Sequence, residues 1–223
     1  MFEEFLFDLG KAFAAGLLTG SAFTAMRGAA LRAVHQYLRA PWRRDQRDCT
    51  FFERRLAAIL AVDVVGYSRL MNADEEGTHV RLLNCRREVI EPKIREYRGR
   101  IVKHTGDGAL IEFGSAVDAV RCALDMQKVM MVRNAGVEQS RRIDLRAAVG
   151  LGDVIIESED IYGHAVNVVA RIEALAAPGG ICVSADIWGL VRGTIGADFV
   201  DLGETLLKNI ADPVHVFAIS PDV

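Results

Sequence analysis

Residues 56–65 read LAAILAVDVV, an apolar run with one exception, Asp63. A run that short and continuous reads as a strand covered on both faces. Asp63 is then an anomaly. A carboxylate inside such a strand costs roughly several kcal/mol unless it is paired or binds a cation. It stands near the strand's end, where sheets of this kind place ligands. Alone, it is explained as well by capping a loop as by holding an ion.

Downstream, Asn72-Ala-Asp-Glu-Glu supplies N-caps and first-turn acids for a helix running toward Tyr97, which Pro92 should kink or divide. Residues 100–104 and 109–113 are short strand candidates flanking Thr105-Gly106-Asp107-Gly108, a hairpin signal. Ser115 caps a helix through about residue 133, with Val117, Val120, Ala123, Leu124 and Val129 as its apolar stripe. Residues 143–156 read as two strands or one bent strand, interrupted by Gly150-Leu-Gly152. A helix over about 164–176 stops at Pro178-Gly-Gly, and 181–184 and 214–219 are later strands. The order strand, helix, strand-hairpin, helix, strand predicts a mixed α/β fold, a ferredoxin-like βαββαβ sandwich.

The first 50 residues differ, and the chain divides into 1–50 and a domain over 51–223. Ala12 to Met26 is an uncharged stretch of small residues, shorter than the roughly 20 that a membrane span needs. Arginines 27, 32, 39, 43, 44 and 47 follow it. Three readings of this helical segment stand: a partner-docking amphipathic helix, an interfacial membrane helix with a basic flank, or no function at all. Gly16-x-x-x-Gly20 permits close helix contact. Glu3, Glu4 and Asp8 argue against a secretory signal.

The whole chain has 223 residues, 51% of them hydrophobic, enough for a buried core. With 27 basic and 30 acidic residues its net charge is −3, so nucleic acid is not an expected partner. Cys49, Cys85, Cys122 and Cys182 are widely spaced and form no CxxC. That argues against a zinc knuckle or a disulfide framework and fits a reducing, cytoplasmic location, at the membrane's inner face if 1–50 is interfacial.

Asp107 alone is a plain turn aspartate. Beside Asp63 it becomes half of a hard-cation site, because glycines let the two backbones approach. Magnesium held by one or two carboxylates usually completes its shell with substrate phosphates. A third cluster lies in DIYGHAVNVVAR (160–171). Asn167 and Arg171 are four apart and share a helix face. An interhelical hydrogen bond would explain them; so would an Asn on a sugar oxygen and an Arg on phosphate.

RRLAAILAVDVVGYSRLM (54–71), GRIVKHTGDGALIEF (99–113), GDVIIESEDIYGHAVNVVARIEALAAPGGICVS (152–184) and LGETLLKNIADPVHVFAI (202–219) together resemble the catalytic domain of class III nucleotidyl cyclases, specifically the bacterial adenylate cyclases. The resemblance implies two magnesium or manganese ions on Asp63 and Asp107. It gives Lys103 and Asp160 to adenine, Asn167 to the ribose and Arg171 to the pentavalent phosphorus. It gives Lys208 to the terminal phosphates, a plain surface lysine being the alternative, and lets the backbone amides of 64–67 cradle phosphate. Val64 and Tyr67 stand where many members carry isoleucine and phenylalanine.

An aspartate accepting from N6 and a lysine donating to N1 suit adenine, whereas guanine would need the reverse. The implied substrate is therefore ATP and the product cyclic AMP, a signalling nucleotide. Its active sites would form between the chains of a head-to-tail homodimer. A guanylate cyclase and a silent nucleotide-binding or dimerisation module are the alternatives. Strand alternation turns His104 away from Lys103, and His164 is expected at the surface.

Overall fold

The structure is a computed structural model, and it describes residues 52–219. Expectations for residues 1–50 lie outside the described residues. Strand β1 (Glu53–Val64) forms where the apolar run predicts one and starts three residues earlier. It pairs antiparallel with β3 (Gly108–Phe113) on one side and along its full length with β4 (Leu145–Glu157) on the other. With β2 (Arg100–Thr105) antiparallel to β3, the first four strands lie in the order β2-β3-β1-β4, the expected ferredoxin-like arrangement. The sheet then continues through β6 (Ile181–Ser184), β8 (Val214–Ile219) and β7 (Phe199–Thr205), while β5 (Asp160–Tyr162) folds back on β4. The two outermost strands, β2 and β7, each carry a register shift, between Ile101 and Lys103 and between Asp201 and Gly203.

Period-two alternation sorts β1 between two cores. Ala58, Leu60, Val62 and Val64 join the larger one. It is roofed by α1 (Tyr67–Ala73), α2 (Glu75–Cys85), α3 (Glu91–Glu96), α4 (Ala116–Asn134) and α6 (Ala185–Val191). Ala57, Ile59 and Ala61 join the smaller one under α5 (His164–Glu173), with Leu110, Ala148, Val169 and Ile172. The same parity puts Asp63 on the α5 side. Cys85, Cys122 and Cys182 are buried and free.

The predicted helix from Asn72 to Tyr97 is broken into pieces. Gly66, at φ 64°, starts α1, and Asp74 rather than Asn72 caps α2, accepting from the Gly77 amide at 2.9 Å. A π-helical turn (Arg86–Ile90) precedes α3, whose first turn holds Pro92. The wider turn absorbs the hydrogen bond that proline cannot make. Ser115 caps α4 as predicted, accepting from the Asp118 amide. Met126 and Met130 fill the inward positions, while Val129 is exposed. No helix among the described residues is long and apolar enough to cross a membrane.

Gly150 and Gly152 do not interrupt β4. They let α5 lie against it: a Cβ on Gly150 would fall 2.4 Å from Val169 Cγ2, and one on Gly152 2.4 Å from Ala165 Cβ. Overpacking of that kind costs about 1–3 kcal/mol. Gly152→Ala should lower the melting temperature measured by circular dichroism, with the native spectrum kept. An unchanged midpoint would mean that α5 rides clear of the strand.

Candidate active site

Asp63 occupies the end of β1 opposite Arg146 of β4. On the other side, β3 begins at Gly108, where a Cβ would sit 2.4 Å from the Val62 carbonyl and 3.2 Å from Asp63 Oδ1. Glycine is therefore required for the β2–β3 turn to bring Asp107 against Asp63. Arg86, on the π-helical turn, donates to the Gly106 carbonyl and pins that turn from behind.

Burial pushes the Asp107 carboxyl above its ordinary value, and the neighbouring Asp63 carboxylate pushes the same way. Two carboxylates so juxtaposed suit a divalent cation better than each other. Among the described residues no group of three or more Asp, Glu, His or Cys converges as metal ligands. A cation on this pair would keep coordination positions for substrate oxygens.

Behind the pair, Arg146 spans two acids. It donates to Asp63 Oδ2 at 2.7 Å and lies against the carboxylate of Glu173. Glu173 is only 9% exposed. Burial pushes it up to about 7, against the pull of Arg146.

Lys103 and Asp160 come together across β2 and β5, with Nζ 2.8 Å from Oδ2. The register shift at Val102 sets Lys103 opposite Leu110 and so on the α5 side of the sheet. Lys103 holds the Asp160 carboxyl below its usual range, helped by the Ile161 amide. The lysine Nζ lies 5.5 Å from the centre of the Tyr162 ring. Val102, Lys103, Asp160 and Tyr162 border an open cavity of about 390 Å³.

Helix α5 presents Asn167 and Arg171 on its exposed face and buries Val169, Ile172 and Glu173. Arg171 Nε donates to the Lys208 carbonyl at 3.4 Å. Lys208 itself is exposed on a loop anchored by buried Leu207. His164 is exposed, as predicted. His104 borders a cavity with Leu83 and Arg86, on the other side of the sheet from Lys103.

The seven predicted residues thus fall into three groups, Asp63 with Asp107, Lys103 with Asp160, and Asn167 with Arg171 and Lys208. Arg146, Glu173 and Tyr162 were not foreseen. The usable signal for Arg146 was a lone charge inside LRAAVGL, in register with Asp63.

Residues 53–220 match the family described as "Adenylate and Guanylate cyclase catalytic domain". Over 168 residues the chain is 52% identical to "Putative adenylate cyclase 3" of Rhizobium meliloti (strain 1021), covering 75% of this chain but only 29% of that relative's length. Among solved structures, an "Adenylate/Guanylate Cyclase/Hydrolase" from Silicibacter pomeroyi is 45% identical with a TM-score of 0.73, covering 76% of this chain and 99% of that one. The adenylyl cyclase CyaB from P. aeruginosa shares the fold at 23% identity and a TM-score of 0.66, covering 75% of this chain and 94% of that one.

Proposed function

This chain belongs to the family of adenylate and guanylate cyclase catalytic domains, and we propose that it converts ATP to 3′,5′-cyclic AMP and pyrophosphate for intracellular signalling, on the cytoplasmic side of the membrane. Its sites would lie between two chains packed head to tail. The observation that carries the choice of ATP is the Lys103–Asp160 pair, with Nζ 2.8 Å from Oδ2.

Asp160 accepts a hydrogen bond from the adenine amino group and Lys103 donates to ring N1. Leaving either buried and unpaired against guanine is what would discriminate the bases. Asn167 fixes the ribose so that its 3′-oxygen lies in line with the α-phosphorus. That oxygen forms the new bond to phosphorus as the bond to the bridging oxygen breaks, pyrophosphate departs and the 3′ proton passes to solvent. Arg171 donates to the phosphorus oxygens as charge gathers there. Lys208 and the amides of residues 64–67 hold the leaving phosphates.

Asp63 and Asp107 would hold two magnesium or manganese ions, which lower the pKa of the 3′-hydroxyl and offset phosphate charge. The adjacency of these carboxylates and the raised Asp107 carboxyl fit that cargo. One chain supplies the aspartates of a site; its partner supplies Lys103, Asp160, Asn167, Arg171 and Lys208.

The test is cyclic nucleotide formation from ATP and from GTP, with manganese and with magnesium, resolved by chromatography. Cyclic AMP should exceed cyclic GMP by about a hundredfold. Lys103→Glu with Asp160→Ser should reduce that preference at least tenfold, by about 1.4 kcal/mol or more. Cyclic GMP as the main product of the unaltered chain would overturn the base assignment. Silence with both nucleotides would favour a nucleotide-binding or dimerisation module.

A further inference from the structure

Glu173 is the single acid of α5 and is buried, and nothing in the reaction above uses it. It lies two residues beyond Arg171, on the inward face of the same last turn. Its partner, Arg146, is equally unused and faces Asp63 in the ladder. We propose that Arg146 and Glu173 are positioning residues that orient Asp63 for its cation and tie it to the helix bearing Asn167 and Arg171. The inference rests on the reading of Asp63 and Asp107 as a metal site.

The two oxygens of Asp63 have different surroundings. Oδ2 accepts from Arg146 at 2.7 Å. Oδ1 faces Gly108, on the side from which Asp107 arrives. Arg146 therefore fixes the carboxylate rotation and leaves one oxygen aimed at the cation. An arginine serving Asp63 alone would compete with the metal for it. Here the same guanidinium also serves Glu173, so its charge is divided between two acids. The acids Asp63, Asp107 and Glu173 thus share a single cationic side chain, Arg146, and the acid-rich cluster suits a divalent ion. Partners behind a metal ligand typically change affinity about 10–100-fold when they are lost.

The link has a second effect in a head-to-tail dimer. The Asp63 and the Arg171 of one chain belong to different active sites. Arg146 and Glu173 then join the metal half of one site to the phosphate half of the other. A displacement of α5 by nucleotide in the second site is felt at Asp63 in the first.

The test is manganese binding by the intact chain in the presence of 3′-deoxy-ATP, which cannot cyclise. Free manganese is read by electron paramagnetic resonance, and circular dichroism checks the fold. Glu173→Gln keeps the side-chain shape and should weaken manganese binding about tenfold. In an Arg146→Met background the same change should have little further effect, because Glu173 acts through that guanidinium. If Arg146→Met does not fold, Arg146→Lys replaces it and should retain part of the Glu173 effect. Equal manganese affinity in Glu173→Gln and the unaltered chain overturns the link alone. No manganese binding by the unaltered chain overturns both the link and the metal-site reading. An undiminished Glu173→Gln effect without Arg146 also overturns the link.

Discussion

Asp107→Ala is expected to remove at least 99.9% of cyclic AMP formation, about a thousandfold or more, and to leave a protein no less stable than its parent. Both effects come from one arrangement. Asp107 is held beside Asp63, where burial and like charge push its carboxyl above the ordinary value. An ionised Asp107 thus opposes folding, and its proposed role at the cation would keep it there, as functional groups often cost stability. Because its folded pKa is raised, any stability tied to this group is present in acid and lost as pH rises through the folded value. The gain in melting temperature from Asp107→Ala should therefore appear at neutral pH and shrink below the usual aspartate range. Thermal melts at pH 7 and pH 3.5 beside a cyclase assay measure all three. Retained activity with manganese would remove Asp107 from the metal site.

The second large effect is a recovery. Asp107→Ala and Arg171→Ala should each be nearly silent alone. Mixed in equal amounts, they should regain about a quarter of the parental activity, because half of the dimers are mixed and each of these has one intact site. Equal mixing of chains that keep both halves of a site within one molecule would yield nothing. Activity of the mixture against total protein concentration provides the second reading. Specific activity should fall on dilution as pairs separate. A concentration-independent mixture with no recovery would overturn the shared site.

Much of the architecture was legible because it is written in short-range terms. The apolar run around Asp63 announces a doubly covered strand, and Thr105-Gly106-Asp107-Gly108 announces the hairpin beside it. The order of these elements sufficed for the β2-β3-β1-β4 arrangement. What escaped was decided elsewhere. Strand β7 is exposed along much of its length and leaves Val200 and Leu202 in the open, so no alternation of buried apolar and exposed polar residues marks it. Strand β5 is only three residues long and exists because β4 is there to pair with it. Gly150 and Gly152 read as a break because the helix that needs them lies in a different segment.

The candidate site divides in the same way. Asp63 and Asp107 stood out as charges in apolar or glycine-bound settings, and Asn167 with Arg171 as a polar pair on an apolar helix. Glu173 gave no comparable signal. Its neighbours Ile172 and Arg171 make it look like the next residue of an ordinary amphipathic helix. Only the packing of α5 over β4 turns it inward to Arg146. Tyr162 was likewise invisible until β5 folded back beside Lys103.

The kinked outer strands bear on what this domain avoids. An open sheet can recruit further strands wherever its backbone groups run straight and unprotected, which is how native molecules begin to aggregate. Here both margins are spoiled as templates. The register shift at Val102 twists one margin among Arg100, Lys103 and His104, and the shift at Leu202 bends the other between Asp201 and Glu204. A second molecule cannot extend this sheet in register without straightening a bulge and facing those side chains. Self-association by open-ended strand addition is thereby disfavoured. A domain so made can be concentrated without being driven into fibrils.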